Sequence, residues 1–256
     1  MIKNQRQVEI LRVVQAKGSS TIGELAAQLQ VSGETIRRNI KALTENGTVL
    51  KVHGGIVLPD RIEEPPYQRR MQDNLDAKQQ IAAKVAELVQ DGDSLILDGG
   101  TSAICVAQAL REHSRLTVVT NSAEIARTLA TRHGNRVFMA GGELRADDAA
   151  AFGEAVLSFV RQFHVKYAVL SVSSISASGD LMYYQLCDAE FTRAARAQAG
   201  QVIAIADHSK LGKDAVVKAC GPEGINILVT DQPPANAISQ CFAAVNTAVL
   251  VARPAQ

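Results

Sequence analysis

The sequence lacks the features that mark membrane, secreted and disulfide-rich proteins. Its 256 residues contain no apolar run that approaches the ~20 residues needed to cross a bilayer. The segment 1–14 has neither the long apolar core nor the small-residue cleavage site of a secretory signal, so we expect a cytoplasmic protein. No C-x-x-C pair occurs, and the scattered cysteines predict reduced thiols. These cysteines are Cys105, Cys187, Cys220 and Cys241.

The short motifs of common enzyme and cofactor classes are also missing. The sequence has no nucleophile elbow, no P-loop and no G-x-G-x-x-G after its first predicted strand. Its five histidines are as dispersed as its cysteines and show no metal-ligand spacing. We therefore expect no metal ion, no cofactor and no catalytic residues.

Positive charge is concentrated in one small part of the chain. Residues 1–58 hold eight Lys and Arg against four Asp and Glu, a net charge of +4, whereas the remaining residues hold 19 against 22, a net charge of −3. The whole chain is almost neutral, at +1. Such a distribution is typical of a local phosphate-binding face. With 46% hydrophobic residues, the length predicts a small globular domain and a second one of about 180 residues.

The segment 19–55 has the pattern of a helix–turn–helix followed by a β-wing. Thr21 is placed to cap a first helix, and 31–33 interrupts the helical spacing before a second. An earlier apolar segment, 3–17, predicts a helix that packs beneath this pair. Two β-rich runs on either side of 53–55 predict a tight hairpin. The apolar stripes consist of Ile22, Leu25, Ala26 and Leu29 in the first helix, and of Ile36, Ile40 and Leu43 in the second.

Polar residues of the second helix predict contact with DNA. They fall off the apolar stripe and are expected to face outward, where arginine reads guanine edges and cations meet phosphates. These residues are Thr35, Arg37, Arg38 and Lys41, with Lys51 and His53 near the tip of the wing. A three-helix protein-interaction module would have a similar pattern, and the charge distribution favours DNA.

A polar stretch separates this segment from the rest of the chain. Over 59–77 the apolar pattern fails and three prolines disfavour helix, which predicts a linker between a domain at 1–58 and a second at 78–256. A long helix is expected from Lys78 onward. Beyond it, short apolar strands without period-2 alternation alternate with helices, which is typical of an α/β fold with a buried, mainly parallel sheet. The predicted strands lie at 94–98, 116–120, 136–141, 167–172, 202–207, 227–231 and 248–252.

Three of the predicted strands end in similar polar or glycine-rich turns. Asp98-Gly-Gly-Thr101-Ser102, Thr120-Asn121-Ser122 and Gly141-Gly142-Glu143 each follow a strand. Ligands of open α/β sheets bind beyond the carboxyl ends of the strands, where glycines let backbone N–H groups approach an anion. Lys210, after the strand 202–207, is expected to project near the same edge. Together these turns predict a phosphate cradle, although each alone is also an ordinary connection between a strand and a helix.

Taken together, the motifs resemble the DeoR family of bacterial transcriptional repressors. The resemblance rests on TIRRNIKAL in the second helix, HGG in the wing, and the strand ends DGGTS, VVTNS, MAGGELR and DHSKLG, and it covers essentially the whole chain. It implies an N-terminal winged helix–turn–helix and a C-terminal α/β sensor domain similar to ribose-5-phosphate isomerases. It also implies a homo-oligomer, a dimer or tetramer, that represses a carbohydrate or polyol operon. A phosphorylated sugar or related metabolite would release it from double-stranded operator DNA.

The resemblance assigns residues to two sites. The family's patterns for the recognition helix and the wing fall on Ser32, Thr35, Arg37, Arg38, Lys41, His53 and Gly54, with Lys51 beside them. Its effector-site pattern falls on Asp98, Gly100, Thr101, Ser102, Thr120, Asn121, Gly141, Gly142 and Lys210.

The chain departs from the family pattern at several positions. Asn39 stands where Asp is usual after the paired arginines, and the change is expected to free or reorient an arginine of the helix. A strand end that is usually glycine-rich reads Ser171-Val-Ser-Ser174, and Thr192 stands where Lys is usual. One edge of the effector pocket is therefore expected to be crowded and to lack a cation.

Two alternatives stay open on the sequence alone. The first is a sugar-phosphate isomerase, because four polar residues could support proton transfer on a sugar phosphate. These are Asp98, Asp188, Glu190 and Lys210, although Asp188 and Glu190 also suit the start of a helix. The second alternative is a constitutive DNA-binding protein whose sensor site has degenerated.

Overall fold

The computed structural model describes residues 5–17, 19–45, 48–52, 54–57, 64–131 and 133–252. The chain divides between Pro65 and Pro66 into two units, each with its own core.

Three helices of the first unit surround a single apolar cluster. They are α1 (Gln5–Lys17), α2 (Ile22–Gln28) and α3 (Gly33–Glu45). The predicted stripe of α3 is confirmed, because its three apolar residues are all buried in this cluster. The buried residues of the cluster are Ile10, Leu11, Val13, Val14, Leu25, Ile36, Ile40, Leu43, Val49 and Ile56.

Side-chain caps begin the second and third helices. Thr21 Oγ1 accepts a hydrogen bond from Glu24 N at 3.1 Å, and Glu24 Oε2 accepts one from Thr21 N at 2.8 Å. This reciprocal capping box satisfies two backbone donors that the first turn of α2 leaves without helical partners. Ser32 Oγ accepts from Thr35 N at 3.2 Å and caps α3 in the same way. The predicted break between the two helices is confirmed.

A small antiparallel sheet forms the wing of the first unit. Its strands are β1 (Ser19–Thr21), β2 (Leu50–Val52) and β3 (Gly55–Val57), in the order β1-β3-β2. Gly54 turns between β2 and β3 with a φ of +79°, a backbone conformation that favours glycine. A Cβ at Gly55 would overlap the carbonyl oxygen of Ser20, so β3 packs closely on β1. His53, predicted at the tip, lies outside the described residues.

The core of the second unit is a seven-stranded parallel sheet in the order β13-β12-β10-β7-β4-β5-β6. Leu95 and Leu97 of β4 lie in one apolar cluster and Ile96 in another, so both faces of the sheet are covered. All seven predicted strands are confirmed. They are β4 (Ser94–Leu97), β5 (Thr117–Thr120), β6 (Arg136–Met139), β7 (Val165–Ser171), β10 (Ala199–Ile205), β12 (Ile227–Thr230) and β13 (Ala248–Val251). The helices between them are α6 (Thr101–Ala109), α7 (Ala123–Leu129), α8 (Glu154–Val160), α9 (Leu186–Ala197) and α10 (Asn236–Ala244).

A second, antiparallel sheet was not predicted. It consists of β8 (Ser174–Ile175), β9 (Leu181–Tyr183) and β11 (Val217–Cys220), in the order β11-β9-β8. Its strands have two to four residues, which is too short for an apolar pattern to stand out in the sequence.

The predicted linker extends too far at its C-terminal end. Within 59–77 the chain forms α4 (Tyr67–Gln72), and α5 (Leu75–Leu88) begins before Lys78. Prolines disfavour the interior of a helix but fit its start, and Pro66 occupies the N-cap position of α4. None of the helices in the described ranges is long and apolar enough to cross a membrane.

Candidate functional site

The cationic residues of α3 and of the wing line one groove of about 500 Å³ in the first unit. Arg37, Arg38 and Lys41 project from α3, and Lys51 projects from β2; all four are exposed. Thr35 and Ser32 lie at the start of α3, with their hydroxyl groups 3.0 Å apart. The structure therefore brings together the four predicted cations of the helix and the wing in one groove. Three cations on the outer face of a helix and a fourth on the wing suit a DNA groove and its phosphates.

Carboxylates accompany these cations without neutralising the groove. Arg37 Nη1 lies 3.4 Å from Glu34 Oε2, and Lys41 Nζ lies 4.0 Å from Glu45 Oε1. All four of these side chains are more than 60% exposed. Exposed ion pairs of this kind contribute roughly 0–1 kcal/mol, so phosphate can displace them at little cost.

Asn39 lies on the buried face of α3. Its side chain is 7% exposed, and its Nδ2 donates to the carbonyl oxygen of Thr35 at 2.8 Å. A carboxylate cannot donate that hydrogen bond. The residue at this position therefore stabilises the inner face of α3, while Arg37 pairs with Glu34 on the outer face.

The second candidate site lies at the carboxyl ends of the parallel strands. From β4 the chain continues to β5 on one side of the sheet, and from β7 it continues to β10 on the other. The change of direction opens a crevice between β4 and β7, where ligands of such sheets bind. The predicted turn Asp98-Gly-Gly-Thr101-Ser102 follows β4 and leads into α6, so the N-terminus of that helix faces this edge.

Asp98 and Ser171 bridge the crevice between β4 and β7. Asp98 Oδ2 accepts hydrogen bonds from Ser171 N at 2.7 Å and from Ser171 Oγ at 3.3 Å. Burial raises the pKa of Asp98 to about 7, although Ser171 and Lys210 both favour the ionised form. A Cβ at Gly100 would overlap Ser171 Oγ, so only glycine fits beneath this serine. Ser171 therefore fills the space beside Gly100 and Asp98.

The second predicted turn meets the first, and the third follows the neighbouring strand β6. Asn121 Nδ2 donates to the carbonyl oxygen of Ala151 at 2.9 Å, and a Cβ at Gly99 would lie 2.9 Å from Ala150 Cβ and 3.6 Å from Asn121 Oδ1. Gly141 and Gly142 are exposed, and a Cβ at Gly142 would lie 3.8 Å from Ala151 Cβ. The chain folds back after these glycines and places Ala150 and Ala151 against the turns at 99–102 and 120–122. That the two glycines contact an effector stays a prediction.

Lys210 reaches the same edge of the sheet, together with a lysine that the sequence reasoning missed. Lys210 Nζ donates to the carbonyl oxygen of Val172 at 2.6 Å. Lys78 is 3% exposed, and its Nζ donates to the carbonyl oxygen of Arg70. Burial lowers the pKa of Lys78, and the neighbouring charge of Lys210 lowers it further. The signal in the sequence was a cation on the apolar stripe of α5, three residues before Ile81.

Several buried polar atoms at this edge have no hydrogen-bond partner among the described residues. Asp98 Oδ1, Ser102 Oγ and Asn121 Oδ1 belong to the two turns that meet. Thr101 and Thr120 are also buried there, and Thr120 Oγ1 accepts from Ser122 N at 3.1 Å. Buried polar groups are normally paired, so these three atoms indicate a place where a polar ligand or water completes the structure.

Asp188 and Glu190 do not join this pocket. Asp188 forms a two-point ion pair with Arg145 at 3.1 and 3.2 Å, and Arg145 also binds Asp148. Glu190 lines a separate groove between α8 and α9 with Arg161. The four residues considered for proton transfer are thus not assembled into one catalytic set. No group of three potential metal ligands occurs in the described part of the chain.

Thr192 acts beneath the pocket, not at its edge. Its Oγ1 donates to Tyr183 Oη at 2.7 Å, and Tyr183 Oη donates to the carbonyl oxygen of Ser171 at 3.1 Å. Thr192 is 1% exposed, and Ser174 is equally buried. A buried chain of hydrogen bonds therefore connects α9 through β9 and β7 to Asp98.

Comparison with known proteins identifies both units. Residues 6–61 match the DeoR-like helix-turn-helix domain, and residues 73–232 match the DeoR C terminal sensor domain. The chain belongs to the DeoR family. It is 35% identical over 240 residues to the glycerol-3-phosphate regulon repressor of Escherichia coli (strain K12), covering 94% of this chain and 95% of that protein.

Other members of the DeoR family and one enzyme fold are also similar. The HTH-type transcriptional repressor GlcR of Bacillus subtilis (strain 168) is 32% identical over 235 residues, covering 91% of this chain and 90% of that protein. Ribose 5-phosphate isomerase A of Methanocaldococcus jannaschii overlaps with a TM-score of 0.40 at 18% sequence identity. That overlap covers 54% of this chain and 55% of the isomerase.

Proposed function

We propose that this DeoR-family protein is a transcriptional repressor of a carbohydrate or polyol operon. The observation that carries the proposal is the exposed groove in which Arg37, Arg38 and Lys41 of α3 lie beside Lys51 of the wing. Cations on one face of a helix bind the phosphates of double-stranded DNA, and arginine reads guanine in the major groove. The names of the similar proteins support repression over activation.

A phosphorylated sugar or polyol is the proposed effector. Three features at the carboxyl edge of the sheet support an anionic, polyhydroxylated ligand. They are the N-terminus of α6, the cations Lys78 and Lys210, and the unpartnered atoms of Asp98, Ser102 and Asn121. The helix terminus and the lysines suit a phosphate, and oxygen acceptors suit hydroxyl groups. Glycerol 3-phosphate heads the panel of candidates, since it appears in the name of a similar repressor.

A catalytic role is not proposed for the same pocket. Of the four residues considered for proton transfer, Asp188 is paired with Arg145 and Glu190 lies in another groove. A coupled isomerase assay on pentose and hexose phosphates tests this view, and turnover above that of an Asp98→Asn variant would contradict it. We also propose a homo-oligomer, a dimer or tetramer, which size-exclusion chromatography with light scattering would measure.

A gel-shift assay tests the regulatory function directly. DNA from upstream of the protein's own gene is incubated with the full chain and nonspecific competitor, and sugar and polyol phosphates are added in turn. We expect specific binding that one phosphorylated compound releases.

The assay includes an arginine variant and a matched control. Arg37→Ala should require a roughly 5–150-fold higher protein concentration for half of the DNA to be shifted. Arg127→Ala is the control, because Arg127 is also an exposed helical arginine paired with a glutamate three residues before it. Equal loss in both variants, or no specific binding by the wild type to any fragment of its regulatory DNA, would contradict the proposal.

A further inference from the structure

Asn74 has an unusual backbone conformation for a residue other than glycine. It lies between α4 and α5 with φ +53° and ψ +37°, in the left-handed region that residues other than glycine seldom occupy. Such a conformation costs free energy and persists where surrounding contacts hold it. The residue does not cap α5 with its side chain, so the contacts that hold it lie elsewhere.

The side chain of Asn74 is bound to a turn more than 130 residues away in sequence. Its Nδ2 donates to Asp207 Oδ1 and to Ser209 Oγ, both at 2.9 Å. Asp207 is 1% exposed and caps the short helical turn His208–Lys210 by accepting from Ser209 N at 3.0 Å. Asn74 is therefore hydrogen-bonded to the turn that carries Lys210 into the pocket.

Helix α4 also contacts Lys78 of α5 and the loop that contains Asp147. The carbonyl oxygen of Arg70 accepts from the buried Lys78, and Arg70 Nη2 lies 3.8 Å from Asp147 Oδ2. Asp147 belongs to the loop in which Arg145 pairs with Asp148 and Asp188. Contacts from the 207–210 turn and from the loop of Asp147 thus reach α4 and the residues that follow it.

We propose that Asn74 is a positioning residue that connects the 207–210 turn to α4 and so transmits occupancy of the pocket along the chain. The inference rests on the proposed function. A phosphate that binds Lys210 competes with the carbonyl oxygen of Val172 and displaces the turn, and the two hydrogen bonds of Asn74 carry that displacement to α4. Helix α4 is the first helix of the second unit, which the chain enters from the DNA-binding unit. A ligand shifts an equilibrium only through contacts that differ between two states, and these contacts supply such a difference.

Hydrogen–deuterium exchange of the full chain tests the connection, with inorganic phosphate and glycerol 3-phosphate as probes. In the wild type, the probes are expected to change exchange in peptides that cover 207–212 and in those that cover 67–75. In Asn74→Gly the change at 207–212 should remain and the change at 67–75 should disappear. Glycine adopts the same backbone conformation without strain, so the variant removes the amide group and leaves the turn between the helices intact.

Asn246→Gly is the matched control. Asn246 also has a left-handed backbone, with φ +60°, but it is exposed, and its side chain makes no hydrogen bond to the described residues. Both substitutions relieve the same kind of backbone strain. In a gel shift, Asn74→Gly should need roughly tenfold more glycerol 3-phosphate than Asn246→Gly for half-release of the operator, within the usual range of allosteric coupling.

The outcomes separate this inference from the function on which it rests. If neither probe changes exchange at 207–212 in the wild type, the proposed effector pocket is wrong and the inference falls with it. A change at 207–212 without one at 67–75 would overturn the connection alone. The same holds if the change at 67–75 persists in Asn74→Gly, or if both asparagine variants release the operator at the same ligand concentration.

Discussion

Replacing Asp98 with Asn should change how the stability of the sensor unit depends on pH. Burial raises the pKa of Asp98 to about 7, against 3.8 for an unperturbed aspartate. A carboxyl whose pKa is raised by folding binds its proton more tightly in the native state than in the unfolded chain. Its contribution to stability is therefore complete below pH 3.8 and is lost as the pH rises through about 7.

The size of this effect follows from the difference between the two pKa values. One pKa unit corresponds to about 1.4 kcal/mol, so a shift of roughly three units corresponds to about 4 kcal/mol. The Asp98→Asn variant does not titrate, and its amide oxygen can still accept the hydrogen bond from Ser171 N. Relative to the variant, the wild type should therefore lose about 2–4 kcal/mol of unfolding free energy between pH 4 and pH 8.

Urea unfolding of the full chain at pH 4, 5, 6, 7 and 8 measures this difference, with the transition of the sensor unit followed by circular dichroism. Asp91→Asn is the control, since Asp91 is an exposed aspartate whose pKa is lowered by its hydrogen bonds with Ser114. Its difference from the wild type should not grow between pH 6 and pH 8. Parallel stability profiles for the wild type and Asp98→Asn would refute the reasoning about the buried carboxyl.

Four further predictions concern the two sites and the core of the first unit. Arg37→Ala should weaken operator binding by about 1–3 kcal/mol in a fluorescence-anisotropy titration if the arginine contacts guanine, and unchanged affinity across a salt series would contradict that role. Thr101→Val should abolish release by the effector while operator affinity stays the same, because the buried hydroxyl at the start of α6 is lost; an equal inducer titration would argue against it. Thr21→Ala should lower the unfolding free energy of the first unit by about 1 kcal/mol through loss of the capping box, and no change in its denaturation midpoint would show the cap to be dispensable. Ile36→Ala should cost about 2–5 kcal/mol in the same measurement, since Ile36 is fully buried, and a loss below 1 kcal/mol would mean that the core relaxes around the cavity.

The sequence was sufficient to predict helix caps and strands whose residues lie within one short segment. Thr21 and Ser32 cap their helices through hydrogen bonds that span three residues, so the residues involved stand side by side in the sequence. The inner strands β4, β5, β7 and β12 of the parallel sheet are largely buried on both faces, which explains their short apolar runs in the sequence. The small sheet of β8, β9 and β11 escaped prediction, because its strands are very short and β9 also pairs with β11, more than 30 residues further along the chain.

The sequence predicted part of what lies at the carboxyl edge of the sheet. The turns that begin at Asp98 and at Thr120 do meet, because adjacent parallel strands end at the same edge of the sheet. The sequence did not predict that the chain folds back after Gly142 and brings Ala150 and Ala151 against these turns. Asn121 and Ala151 are 30 residues apart, and no local pattern predicts a contact over that distance.

The sequence by itself determined the winged helix–turn–helix, the parallel sheet and the membership of the DeoR family, since these depend on periodicity, caps and motifs that lie within short segments. Only the tertiary structure decided which polar groups share the pocket. Asp98 meets Ser171 across 73 residues, and Asn74 meets Asp207 across 133. The buried Lys78 of α5 lies close enough to Lys210 and Asp207 for their charges to change its pKa. Hydrogen bonds act over about 3 Å whatever the separation along the chain, so their partners are set by packing.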